Sequence, residues 1–104
     1  MRRVFSRFRL KPGFEAEYKR RHDNIWPEMI DLMRQAGIRN YSIWNDGADL
    51  FGYFETEDLD KCVAIVSQSD VKKRWDAYMS DIIINESDPA AAGATMDPVF
   101  LFEG

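Results

Sequence analysis

Residues 38–56 read Ile38-Arg39-Asn40-Tyr41-Ser42-Ile43-Trp44-Asn45-Asp46-Gly47-Ala48-Asp49-Leu50-Phe51-Gly52-Tyr53-Phe54-Glu55-Thr56. Two β-rich runs flank Asp46-Gly47, a pair that readily takes the positive backbone φ of a tight hairpin turn. The stretch therefore predicts two antiparallel strands, 38–46 and 50–56. Alternation along the first sets Ile38, Asn40, Ser42 and Trp44 on one face, and Arg39, Tyr41 and Ile43 on the other.

The order of elements follows by working outward. Residues 3–10 alternate Val4, Ser6, Phe8 and Leu10 against Phe5, Arg7 and Arg9, a first strand that Lys11-Pro12-Gly13 ends as a turn. Residues 14–36 repeat apolar side chains at helical spacing. Pro27 removes one hydrogen bond and crowds the preceding turn, so a kink or break is expected between Asp23 and Trp26, with Gly37 as the C-cap. Beyond the hairpin, Thr56-Glu57-Asp58 opens a second helix with Leu59, Val63 and Val66 on its buried face. Ser69 or Asp70 caps a third, carrying Val71, Trp75, Tyr78, Met79 and Ile82. Residues 85–97 are turn formers and small residues, a loop long for a compact domain. Residues 98–102, Pro-Val-Phe-Leu-Phe, read as a closing strand.

Strand, helix, strand, strand, helix, strand is the βαββαβ order of the ferredoxin-like fold, an α+β architecture with one antiparallel sheet and helices on one face. At 104 residues the chain is one domain, spanning 1–104. The open sheet face would carry Trp44 or Tyr41 with Phe5 or Phe8, too much apolar surface to leave in water. A second subunit packed sheet to sheet would cover it, so a homodimer, a dimeric α/β barrel, is expected.

Composition narrows the function. The chain is 45% hydrophobic and 31% charged, which is globular, and holds seven Phe, four Tyr and three Trp. Fourteen rings exceed what a small core hides, so some line a pocket or an interface. The net charge of −4 argues against nucleic acid as a partner. Two basic clusters, Arg2, Arg3, Arg7 and Arg9, then Lys19, Arg20 and Arg21, are read first as solvated faces and second as phosphate contacts. The lone Cys62 sits in an apolar run and makes no internal disulfide. The opening Met-Arg-Arg-Val-Phe-Ser-Arg has no apolar signal core, and no apolar run approaches membrane-spanning length. A cytoplasmic protein without a membrane partner is expected.

No metal-ligand spacing, Gly-rich phosphate loop or dinucleotide fingerprint is present, so neither metal nor cofactor is expected. Acid–base chemistry remains, and His22, the only histidine, is the side chain that titrates near neutrality. Taken alone, His22 is equally a helix-surface or core histidine. Its spacing from Tyr18 and Trp26, four and four, stacks the three on one helical face. Tyr41 and Trp75 stand on neighbouring elements. Such a pocket, aromatic walls with hydroxyl donors and one titrating base, suits a small sugar.

The block Tyr18-x-x-x-His22, Ile25-Trp26-Pro27-Glu28, then Asn40-Tyr41-Ser42-Ile43 and Arg74-Trp75-x-x-Tyr78-Met79, resembles the L-rhamnose mutarotase family from the first strand to the third helix. The resemblance implies small ferredoxin-like subunits paired into dimers, interconverting the α and β anomers of a 6-deoxy sugar without metal or cofactor. By position, His22 matches the family's catalytic proton donor, Tyr18 and Tyr41 its substrate-binding tyrosines, and Trp75 the first of a sugar-binding Trp-Trp pair. Asp76 stands where the second Trp would be, and Asn85-Glu86-Ser87-Asp88-Pro89 with the Ala-rich stretch after it departs from the family's pattern. Both departures lie where substrate is chosen. Asp76 therefore enters as a substrate-binding residue in its own right, with L-rhamnose as the expected sugar and L-fucose as runner-up. From other classes, a cofactor-free oxygenase of the same dimeric architecture and a non-catalytic sugar-binding domain compete. Oxygen uptake, or binding without faster anomer exchange, would distinguish them.

Overall fold

The computed structural model describes residues 1–84 and 98–104. The hairpin is present. β2 (Arg39–Asp46) turns at Gly47, φ 60°, into β3 (Asp49–Thr56). β1 (Arg2–Leu10) pairs antiparallel with β3 from Arg2↔Thr56 to Arg9↔Asp49. The sheet order is β2-β3-β1-β4, and every pairing is antiparallel. Among the described residues four helices complete the order β1 α1 α2 β2 β3 α3 α4 β4, a ferredoxin-like arrangement with the long helix of each half in two pieces.

Pro27 divides the first helical stretch as its chemistry requires. α1 (Glu15–Asp23) ends at Asn24, the chain extends through Trp26, and α2 (Pro27–Gln35) begins on the proline itself. At the first helical position the missing N–H would be unbonded anyway, so proline starts a helix at no cost. Gly37 takes φ 75° just after α2, the left-handed residue that closes a helix end.

Four expectations are corrected. The closing strand is not residues 98–102. β4 is Ile83–Ile84, paired with Leu10 and Arg9, and the backbone N–H of Lys11 donates to the Ile82 carbonyl at 2.9 Å. α4 (Asp70–Met79) ends before Ile82, so that residue leads into the edge strand rather than extending the helix. Val99, Phe100 and Phe102 instead lie exposed, in no ladder. On α3 (Leu59–Ser67) Val63 is exposed, and Cys62 is the buried residue. The simple alternation of β2 also fails. A bulge between Arg39 and Ser42 sets Asn40, φ 52°, and Tyr41 opposite the single residue Phe54. Arg39 pairs with Glu55 and so leaves the face that Tyr41 and Ile43 share.

Leu10, Leu50, Tyr18, Met29, Leu32, Trp75, Met79 and Ile82 form the core between the sheet and the helices. The opposite sheet face carries Phe5, 42% exposed, against Phe51, with Trp44, 69% exposed, beside them. The loop at 85–97 lies outside the described residues. Among the described residues no helix is long and apolar enough to cross a membrane.

Candidate active site

The helical stripes of α1 and α4 face each other above the inner face of the sheet. Between them opens a cleft of about 920 Å³, lined by Tyr18 and His22 from α1, Tyr41 from β2, and Lys72, Trp75 and Asp76 from α4. All five residues selected from sequence therefore meet at one place. Tyr18 and Trp75 are buried and form its back wall; Tyr41, 44% exposed, and Asp76 stand nearer the mouth.

Tyr18 and His22 stack, their ring centroids 4.2 Å apart at 27°. Trp75 and His22 meet edge to face, ring centroids 5.3 Å apart and nearly perpendicular. Trp26, outside the helix, does not continue the ladder. It packs on Trp75 at 5.1 Å and on Tyr78 at 5.4 Å, a brace behind the site rather than a wall of it.

The Nδ1 atom of His22 lies 3.1 Å from the Tyr18 carbonyl oxygen. A carbonyl only accepts, so Nδ1 carries the proton, and Nε2 is the nitrogen left to exchange one. Burial lowers the His22 pKa below its ordinary 6.5, opposed by the Tyr18 carbonyl and by the negative charge of Asp23. The resting imidazole is therefore neutral and basic at Nε2. Burial pushes the phenols of Tyr18 and Tyr41 upward, so both remain neutral hydroxyls able to donate and accept hydrogen bonds.

Arg21 anchors this helix. Its side chain is 10% exposed, donates to Glu17 at 2.7 Å and to Asp81 at 2.8 and 3.2 Å, and reaches the Tyr78 carbonyl at 2.9 Å. Its guanidinium also covers the Tyr78 ring at 4.6 Å. Arg20 and Arg21 together hold the Glu17 carboxyl down to about 2. Lys19 pairs with Asp23, Arg9 with Asp49, and Arg3 with Glu103. These basic residues serve intramolecular pairs, and Arg21 is held within the fold rather than on a solvated face.

Sequence reasoning missed two contributors. Gly52, below the cleft, has no room for a Cβ, which would fall 2.5 Å from the Ser6 hydroxyl and 3.8 Å from that of Tyr41. Lys72, one turn before Asp76, pairs with it at the rim. The only trace of Lys72 in the sequence is its spacing of three and four from Trp75 and Asp76.

The profile of the L-rhamnose mutarotase family matches residues 3–102. The chain belongs to this family. Membership makes it an isomerase of the racemase and epimerase class. Among curated members, the L-rhamnose mutarotase of Brucella anthropi is 40% identical over 100 residues, covering 94% of this chain and 93% of its own. That of Burkholderia orbicola is 38% identical, covering 99% and 100%. The crystal structure of an L-rhamnose mutarotase from Formosa agariphila superposes with a TM-score of 0.82 at 27% identity, over 99% of this chain and 100% of that one. The mutarotase fold thus surrounds the cleft whose walls carry Tyr18, His22, Tyr41 and Trp75.

Proposed function

We propose that this protein interconverts the α and β anomers of L-rhamnose or a closely similar 6-deoxy-L-hexose such as L-fucose, with His22 as the proton carrier. The Tyr18–His22 stack carries the reading, because it holds a neutral imidazole, tethered at Nδ1, against the wall of a sugar-sized cleft.

Mutarotation moves one proton from the anomeric hydroxyl to the ring oxygen and back. Nε2 takes the anomeric proton as the C1–O5 electron pair leaves for O5 and the carbonyl forms. The imidazolium then gives its proton to O5. Rotation about C1–C2 presents the other carbonyl face, and O5 returns to C1 as the proton retraces its path. The tether at Nδ1 holds the ring plane while Nε2 works. Tyr18 and Tyr41 hold sugar hydroxyls, Trp75 backs the apolar face of the pyranose, and Asp76 binds at the mouth. No redox change occurs. Anomer exchange followed by NMR tests this. His22→Ala is expected to lose on the order of 10²–10⁴-fold of the exchange rate; an unchanged rate at equal protein concentration removes His22 from the mechanism.

The subunit is proposed to work as a homodimer, with a second copy laid over Phe5, Phe51 and Trp44 on the outer sheet face, in the cytoplasm where a free monosaccharide would reach it.

A further inference from the structure

Two lysine–aspartate pairs border the cleft, and they differ. On α1, Lys19 and Asp23 are one turn apart and bond at 2.9 Å; on α4, Lys72 and Asp76 repeat the spacing and also bond. All four residues line the cleft. The Lys19 side chain is 76% exposed, a surface lysine, whereas that of Lys72 is 34% exposed. Lys72 is thus laid down along the wall, on the helical stripe that presents Trp75. The packing of its stem fixes where its ammonium group stands.

Bonded to Asp76, the ammonium of Lys72 keeps two donors free, beside a carboxylate that can still accept. Neighbouring hydroxyls on a pyranose are the complement. One oxygen accepts from the lysine while the adjacent hydroxyl donates to the aspartate, and each bond is charge-assisted. The pair carries no net charge, so it attracts neither a phosphate nor a carboxylate group in particular. Building on the mutarotase reading, we propose that Lys72 and Asp76 together recognise a vicinal diol of a neutral sugar, making Lys72 a specificity-determining residue of the cleft. A sugar lacking either hydroxyl leaves one member of the pair facing the ligand without a partner, and selectivity follows from that loss.

The test compares Lys72→Met, Asp76→Ala and the double variant with the unaltered protein, over L-rhamnose, L-fucose and their singly deoxygenated analogues. Anomer exchange and sugar binding are both read by NMR, with thermal melting to verify folding. The unaltered protein is expected to discriminate by at least about tenfold in kcat/KM against the analogues missing either of two adjacent hydroxyls. Each single variant erases that preference mainly through KM, and the double variant loses no more than the worse single one, because the pair acts as a unit. Lys19→Met, on the other pair, leaves the preference unchanged. Preferences identical in the unaltered protein and all variants overturn the proposal while leaving the mutarotase reading intact, and so does equal loss in Lys19→Met. Binding without any exchange in the unaltered protein overturns the mutarotase reading instead. The diol proposal then stands or falls on whether binding preference disappears in Lys72→Met and Asp76→Ala.

Discussion

His22 holds its proton on the side facing its own helix, and one buried carbonyl determines which nitrogen works. The pH response follows. Because burial lowers its pKa in the folded chain, the unfolded chain binds the proton more readily. The stabilising contribution of the neutral ring is complete above the unfolded pKa of about 6.5 and is lost as pH falls through it towards the folded value. Exchange activity should accordingly be level through neutrality and fall only below the ordinary histidine range. Asp23 raises the His22 pKa, so Asp23→Asn should move that acid limb to still lower pH, visible in a pH–rate profile and in the imidazole NMR titration. At this scale Tyr18 and His22 were legible because spacing by four on a helix has one geometric meaning. Lys72 was not, since an exposed lysine and one packed along a cleft have the same sequence. Gly52 was not either, since the close approach of Ser6 arises only when β1 and β3 pair.

The helices owe their limits to single residues. Pro27 opens α2 where its ring clashes with nothing, while Ser69 opens α4 by accepting a bond from the Lys72 N–H at 3.3 Å. Pro27→Ala should therefore cost less than about 1 kcal/mol, chiefly through the freer unfolded chain. Ser69→Ala should cost about 1 kcal/mol and loosen the turn that carries Lys72. Chemical denaturation of the two variants checks the order; a larger loss for Pro27→Ala would contradict it. The break after Asp23 was readable because proline acts on its own chain neighbours. β4 was hidden by its brevity. Two isoleucines after a helix continue the helical count, and only the waiting edge at Arg9 and Leu10 makes them a strand. The bulge in β2 was hidden likewise, because Asn40 tolerates a left-handed conformation without requiring it.

As a whole, the molecule is a sheet with two sides, one covered by the helices and bordering the cleft, one proposed for a second copy. Trp44, Phe5 and Phe51 lie on the second side, so Trp44→Glu should shift the protein from dimer to monomer in sedimentation velocity while the monomer stays folded. A dimer unaffected by Trp44→Glu would place the interface elsewhere. The division into sides survives the extra residue at Asn40. With it, Arg39 shares a row with Glu55, away from the cleft, while Tyr41 lies over the ring of Phe54, centroids 5.7 Å apart and nearly parallel. Loss of one codon there would restore plain alternation and leave Arg39 opposite Glu55 and Tyr41 opposite Phe54, whereas loss of a codon at 43, 44 or 45 would turn Tyr41 over to the outer face. A deletion scan read by anomer exchange should therefore find position 40 tolerant and positions 43–45 intolerant, where a substitution scan finds Asn40→Gly mild. Along this strand, the frame of the chain is a sharper constraint on evolution than the chemistry of its letters.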